Sequence, residues 1–340
     1  MNIQQTIKQL ATPGKGILAA DESTPTITKR FSALNINSTE ETRRDYRKLL
    51  FTTPGLNECI AGIILYEETL NQKTEDGIAF PELLKKNGIL TGIKVDKGLV
   101  TLPYTRDENI TQGLDGLAER LADYKAKGAC FAKWRAVYAI SANTPSSLAI
   151  AANAEVLARY AAICQSQDIV PIVEPEVLID GDHTIETCAE VSESVLQEVF
   201  EALHQNKVSL EHIILKPSMV ISGKTCPIKA SIEQVATETI RILKRTVPAA
   251  VPTINFLSGG QSSQDATAHL NTMHTLFPHL PWNVSYSYAR ALQDNCMKLW
   301  LGESKNNTLA QKALYTRAKL NSMAAQGKYT VEMEKEAIVA

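Results

Sequence analysis

Lys216 closes the apolar run EHIILKPSMV, and Pro217 behind it holds it in an extended conformation. A lysine so placed can attack a carbonyl as the neutral amine and form an imine. In water the pKa of such an amine is about 10.4, so only about one in a few thousand is neutral at pH 7. Burial and neighbouring cations favour the neutral form, and Lys133 is a candidate neighbour. Glu174 and Glu176 flank Pro175 in IVPIVEPEVL. Residues two apart on a strand share a face, so both could shuttle protons as a carbinolamine becomes an iminium. Asp21 with Ser23, and Lys133 with Arg135, have the same spacing. The candidate catalytic residues are Lys216, Glu174, Glu176, Asp21 and Lys133.

Two further groups of residues suit phosphate. In LSGGQS, Ser258, Gly259 and Gly260 offer backbone N–H groups without obstruction, with Ser287 and Arg290 in the following run, WNVSYSYAR. Elsewhere Ser23, Thr26 and Lys94 could hold a second phosphate at a helix N-terminus. Two anion sites around one lysine imply a bisphosphate. Each residue also has a plainer reading. A lysine at a strand end snorkels into solvent, and Thr24-Pro25 starts a helix. What separates these residues from ordinary surface charge is that they recur at the same end of successive apolar runs.

There are eight such runs: 16–23, 59–66, 88–96, 128–138, 169–178, 211–220, 252–260 and 282–290. Helical periodicity fills the intervals, as in 146–167 and 186–206, and strand–helix alternation of this kind signals βαβ units. The predicted fold is α/β, an eight-stranded (β/α)8 TIM barrel over residues 1–325, with 326–340 as a C-terminal tail. In such barrels the active site forms at the C-terminal ends of the strands. An open doubly wound sheet would want a glycine-rich turn after the first strand, whereas the GKG at 14–16 precedes it.

A formal net charge of -2 excludes a broad nucleic-acid footprint. Six scattered cysteines without C-x-x-C pairs read as reduced thiols, the N-terminus lacks signal-peptide features, and no apolar run approaches a membrane span. A cytoplasmic protein without nucleic-acid or membrane partners is expected. The six histidines show no ligand spacing, so neither a metal nor another cofactor is expected.

The segments GKGILAADES, GIKVDKG, TQGLDGL, FAKWR, ARYA, PIVEPE, DGDH, LKPSM, RTVP, LSGGQS and GKYT, in this order from about residue 14 to 329, resemble those of class I fructose-bisphosphate aldolases. The resemblance implies a metal-independent (β/α)8 lyase, usually a homotetramer, that splits fructose 1,6-bisphosphate into dihydroxyacetone phosphate and glyceraldehyde 3-phosphate. It further implies Lys216 as the Schiff-base lysine, Glu174 as the principal acid/base and Glu176 as electrostatic support for Lys216. Asp21 would take the C4 hydroxyl proton, and Lys133 would hold charge and substrate hydroxyls. Ser258, Gly259, Gly260, Arg290 and Arg30 would bind the phosphate of the ketone half, and Ser23, Thr26 and Lys94 that of the aldehyde half. Three departures stand out. Ala289 replaces a common glycine and brings a methyl group toward a phosphate. Thr26 replaces a common serine. The chain ends Ile338-Val339-Ala340 where many members carry a tyrosine, and Tyr329 is not its counterpart. The alternatives are a barrel lyase acting on a monophosphate and a non-catalytic scaffold that binds protein partners on the same barrel.

Overall fold

The computed structural model describes residues 2–339, with side chains through Lys335. It contains ten strands: β1 (Gly16–Ala20), β2 (Ile60–Leu65), β3 (Leu90–Lys94), β4 (Leu99–Thr101), β5 (Asn109–Thr111), β6 (Phe131–Tyr138), β7 (Val170–Val177), β8 (Ile214–Leu215), β9 (Thr253–Phe256) and β10 (Asn283–Tyr288). Eight close into a parallel barrel in the order β1-β10-β9-β8-β7-β6-β3-β2. Helices cover the outside, because strands buried on both faces need an apolar layer on each. The predicted barrel is the observed one.

Its apolar material lies in two layers. An outer core joins strands to helices, and an inner cluster of Ile17, Ala19, Ile64, Phe131, Val170, Ile172 and Ile214 fills the lumen. The N-terminal helix Ile3–Leu10, held by an Asn2–Gln5 capping box, inserts Ile3, Ile7 and Leu10 into this inner cluster and stoppers the end opposite the predicted site. Space inside is allotted closely. A Cβ on Gly92 would lie 2.1 Å from the Phe131 ring, and one on Gly62 2.9 Å from it. Gly92→Ala is therefore expected to destabilise the protein by about 1–3 kcal/mol, read from the urea midpoint; an unchanged midpoint would contradict this packing.

Several boundaries differ from the sequence reading. The sixth barrel strand was predicted over 211–220, but β8 holds only two residues. Leu210–His212 is a 3-10 turn, and Pro217 has no N–H to extend the ladder. Lys216 still donates its backbone N–H to Val173 O at 2.8 Å, so its direction is set by β7 although it lies beyond β8. β6 and β7 instead run past Lys133 and Glu174, pairing from Phe131↔Val170 to Tyr138↔Val177, which places those two residues within strands. The antiparallel pair β4–β5 escaped notice because β4 is exposed throughout and each strand has three residues. Helix Ser147–Ser166 corrects the reading that no segment approaches a membrane span, since its length and hydropathy would allow one. Here it packs on β6, β7 and helix Ile185–Gln205.

The 326–340 stretch contains helix Glu332–Val339. Glu334 anchors its start, accepting from Arg317 at 2.6 and 2.7 Å and from the buried Tyr329 hydroxyl at 3.0 Å. Ala340 and the side chains of Ile338 and Val339 lie outside the described residues.

Candidate active site

Lys216, Glu174, Lys133 and Asp21 come from β8, β7, β6 and β1, each from its strand or the residue just after it, and converge in the lumen. Lys216 Nζ lies 3.4 Å from Glu174 Oε1. Lys133 Nζ lies 3.2 Å from Glu174 Oε2 and 3.0 Å from Asp21 Oδ2, bridging the two carboxylates. All four residues are at most 9% exposed.

The surroundings of the two lysines differ. Burial opposes the Lys133 ammonium, but Asp21 and Glu174 outweigh it and hold its pKa above the ordinary lysine value. Burial likewise pushes the Asp21 carboxyl up, but Lys133 and Lys216 override this and bring its pKa to about 2. Lys133 is thus locked as a cation, and Asp21 as an anion and proton acceptor. Lys216 is equally buried but has one carboxylate contact, Glu174 Oε1 at 3.4 Å, where Lys133 has two. Glu174 Oε2 meets Lys133 only as an ion pair and accepts no hydrogen bond, so it keeps lone pairs for a substrate or a proton.

Glu176 sits two residues further along β7, on the same side as Glu174, but its ion pair is with Arg135 of β6. Its place on the same side as Glu174 matches the spacing argument. Its partner is the arginine, not Lys216.

Two further groups of residues, after β9 and β10 and after β1 and β3, have features that suit an anion. After β9, Gly259 and Gly260 take φ of 51° and 90°, which favour glycine, and turn the chain below Ser258. A Cβ on Gly260 would lie 3.6 Å from the Arg290 guanidinium. Arg290 opens helix Arg290–Trp300, whose first N–H groups receive no side-chain cap, so both charge and dipole favour an anion. Ala289 precedes it at φ -101°, outside the left-handed region that would call for glycine. Ser287 is buried and its hydroxyl has no partner among the described residues.

The second group lies at the start of helix Thr24–Ser32. Ser23 is its N-cap but bonds Thr26 Oγ1 at 3.1 Å instead of capping, leaving the backbone N–H groups open. Lys94 ends β3 and contacts Asp96 Oδ1 at 2.6 Å. Arg30 is held by Glu22 and by Asp294 at 3.0 Å.

Sequence reasoning missed the supports behind these groups. Glu22 alternates with Asp21 and so faces away from it, where it meets Arg30 and, at 2.8 Å, the buried Arg47. Ile179 abuts Gly260 and is fixed by Lys224 N–H donating to its carbonyl at 2.7 Å. Period-two alternation would have placed Glu22 on the face opposite Asp21, but nothing local identifies its partners. Among the described residues no group of three or more His, Cys, Asp or Glu is placed to hold a metal. His269 and His274 bond Gln261 Oε1 and Val284 O, which are structural roles. A surface cavity of about 590 Å³ beside Ile185 and Ser231 lies away from the lysines.

The family model described as fructose-bisphosphate aldolase class-I matches residues 2–339. A fructose-bisphosphate aldolase of Dictyostelium discoideum is 56% identical over 330 residues, covering 96% of this chain and 92% of the relative. A probable class 1 enzyme of Xanthomonas campestris pv. campestris is 54% identical over 333 residues, 97% of this chain and 99% of the relative. A cytosolic aldolase of Arabidopsis thaliana is 54% identical over 326 residues, covering 96% and 91%. The Plasmodium falciparum aldolase, solved with TRAP and a small-molecule inhibitor, superposes with a TM-score of 0.95 at 50% identity, covering 96% of this chain and 95% of that one.

Proposed function

The chain belongs to the class I fructose-bisphosphate aldolase family, and on that footing we propose how its own residues divide the reaction. The enzyme is a metal-independent carbon–carbon lyase that reversibly cleaves fructose 1,6-bisphosphate into dihydroxyacetone phosphate and glyceraldehyde 3-phosphate through a lysine Schiff base.

In this reading Lys216 Nζ attacks the C2 carbonyl. Glu174 delivers the proton with which the carbinolamine hydroxyl leaves as water, giving the iminium. Asp21 takes the C4 hydroxyl proton while the C3–C4 bond breaks, and the electron pair moves into the iminium to give an enamine. Lys133, fixed as a cation between Asp21 and Glu174, holds the substrate hydroxyls and the negative charge that develops there. Glu176 holds Arg135 at the rim. Ser258, Gly259, Gly260, Ser287, Arg290 and Arg30 bind the ketone-half phosphate, and Ser23, Thr26 and Lys94 the aldehyde-half phosphate. The observation that carries the reading is the buried Lys216 amine 3.4 Å from Glu174, beside a second lysine held charged by two carboxylates. A scaffold would have no use for so much buried charge.

Borohydride added with dihydroxyacetone phosphate tests this. The reduced adduct is expected on the peptide carrying Lys216, with activity lost in proportion and with cleavage in untreated protein surviving a chelator. An unlabelled Lys216 in active protein would overturn the assignment.

A cytoplasmic homotetramer completes the proposal. The cytosolic relative and the free cysteines of the described residues support the compartment, and the family resemblance alone suggests the tetramer. Sedimentation at a mass of one or two chains would refute the tetramer.

A further inference from the structure

We propose that Asp96 is a specificity-determining residue: by neutralising and tethering Lys94, it sets how strongly cleavage depends on the phosphate of the aldehyde half. The inference rests on the reading above that Lys94 meets this phosphate, and it adds a residue to which that reading gives no role.

Asp96 lies two residues beyond Lys94, just past the end of β3. The Lys94 ammonium folds back along its own segment and donates to both Asp96 Oδ1 at 2.6 Å and the Asp96 carbonyl at 2.9 Å. Oδ1 also accepts from Gly98 N–H at 3.3 Å, which fixes the carboxylate. Oδ2 is buried and has no hydrogen-bond partner among the described residues, so the carboxylate carries more charge than its own contacts satisfy. The side chain as a whole is 5% exposed, too little for water to screen that charge well.

The need for an anion here follows from the register. Lys94 and Lys133 are paired directly across β3 and β6, so two ammonium groups start from neighbouring positions. Lys133 is compensated by Asp21 and Glu174, and Lys94 by Asp96. The two phosphate cradles differ as a result. At the ketone end Arg30 is also paired, with Glu22 and Asp294, but Arg290 has no carboxylate partner among the described residues and stands at an uncapped helix start. At the aldehyde end, the incoming phosphate meets a lysine whose charge is already spent, and must displace or share it with Asp96. The site therefore discounts the aldehyde-half phosphate relative to the ketone-half phosphate, and Asp96 is the group that applies the discount.

Asp96 also helps hold Lys133 and Arg135 charged. That influence acts on every substrate alike, so it cancels in a ratio. The measurement is thus kcat/KM for fructose 1,6-bisphosphate divided by that for fructose 1-phosphate, which lacks the aldehyde-half phosphate. Asp96→Asn keeps the shape and an oxygen acceptor for Lys94 and Gly98 but removes the charge. The ratio is expected to rise about three- to tenfold, chiefly through KM for the bisphosphate. Asp96→Ser removes the same charge from a smaller side chain and should move the ratio in the same direction, should the asparagine variant fold poorly. In a Lys94→Ala background the substitution should leave the ratio where Lys94→Ala alone puts it. A ratio that responds to Lys94→Ala but stays level or falls in both Asp96 variants overturns the inference alone. A ratio indifferent to Lys94→Ala overturns it together with the assignment of that phosphate site. A rise that persists without Lys94 also overturns it, because the effect would then not run through the lysine.

Discussion

Lys216→Met is expected to lower kcat for fructose 1,6-bisphosphate cleavage by ~10⁴-fold or more while leaving the protein folded. Methionine fills nearly the same volume, and the site is buried, so little packing is lost. The variant also leaves no carboxylate stranded, because Glu174 keeps its 3.2 Å ion pair with Lys133. A large drop in rate beside a melting temperature within a few degrees of the wild type would locate the loss in the chemistry. A residual rate within about tenfold of wild type would mean that another amine forms the imine. Lys133 is poorly suited to replace it, since Asp21 and Glu174 hold its proton in place.

The barrel was legible because each of its strands is buried on both faces and therefore reads as a short apolar run, with helical periodicity between. The grouping of the candidate residues was legible for a related reason: alternation along β6 and β7 forces Lys133 with Arg135, and Glu174 with Glu176, onto one face. Long-range partnership was harder to read. Nothing near Glu176 in the sequence says that Arg135 takes its charge, and nothing near Glu22 says that Arg47 and Arg30 wait 25 and 8 residues further on. β8 was over-extended for a local reason, since an apolar run continues through Ile213 while the ladder does not. The N-terminal helix was passed over because its amphipathic face has meaning only once there is a barrel end for Ile3, Ile7 and Leu10 to close.

Lys133→Met should have the largest effect on stability, about 3–5 kcal/mol at neutral pH, because it leaves Asp21 and Glu174 buried without the cation they share. The pH dependence distinguishes this cause from ordinary repacking. Asp21 has its carboxyl lowered from 3.8 to about 2 in the folded protein, so its stabilising contribution is fully present above 3.8 and is lost as pH falls through 2. Each pKa unit is worth about 1.4 kcal/mol, so the amount at stake is about 2 kcal/mol. Lys133 has the opposite sign: its raised value stabilises the fold below the ordinary lysine pKa of 10.5 and is lost only as pH rises beyond it. Both contributions are intact between pH 5 and 9, where the gap between wild type and variant should be widest. Below pH 4 the wild type surrenders the Asp21 share, which the variant no longer has, so the two stabilities should approach one another. Urea titrations at pH 7, 5 and 3 would show this as a narrowing difference in midpoint free energy. A gap that stays constant across the three would mean that the loss comes from packing around the methionine and that Asp21 does not depend on Lys133 for its charge.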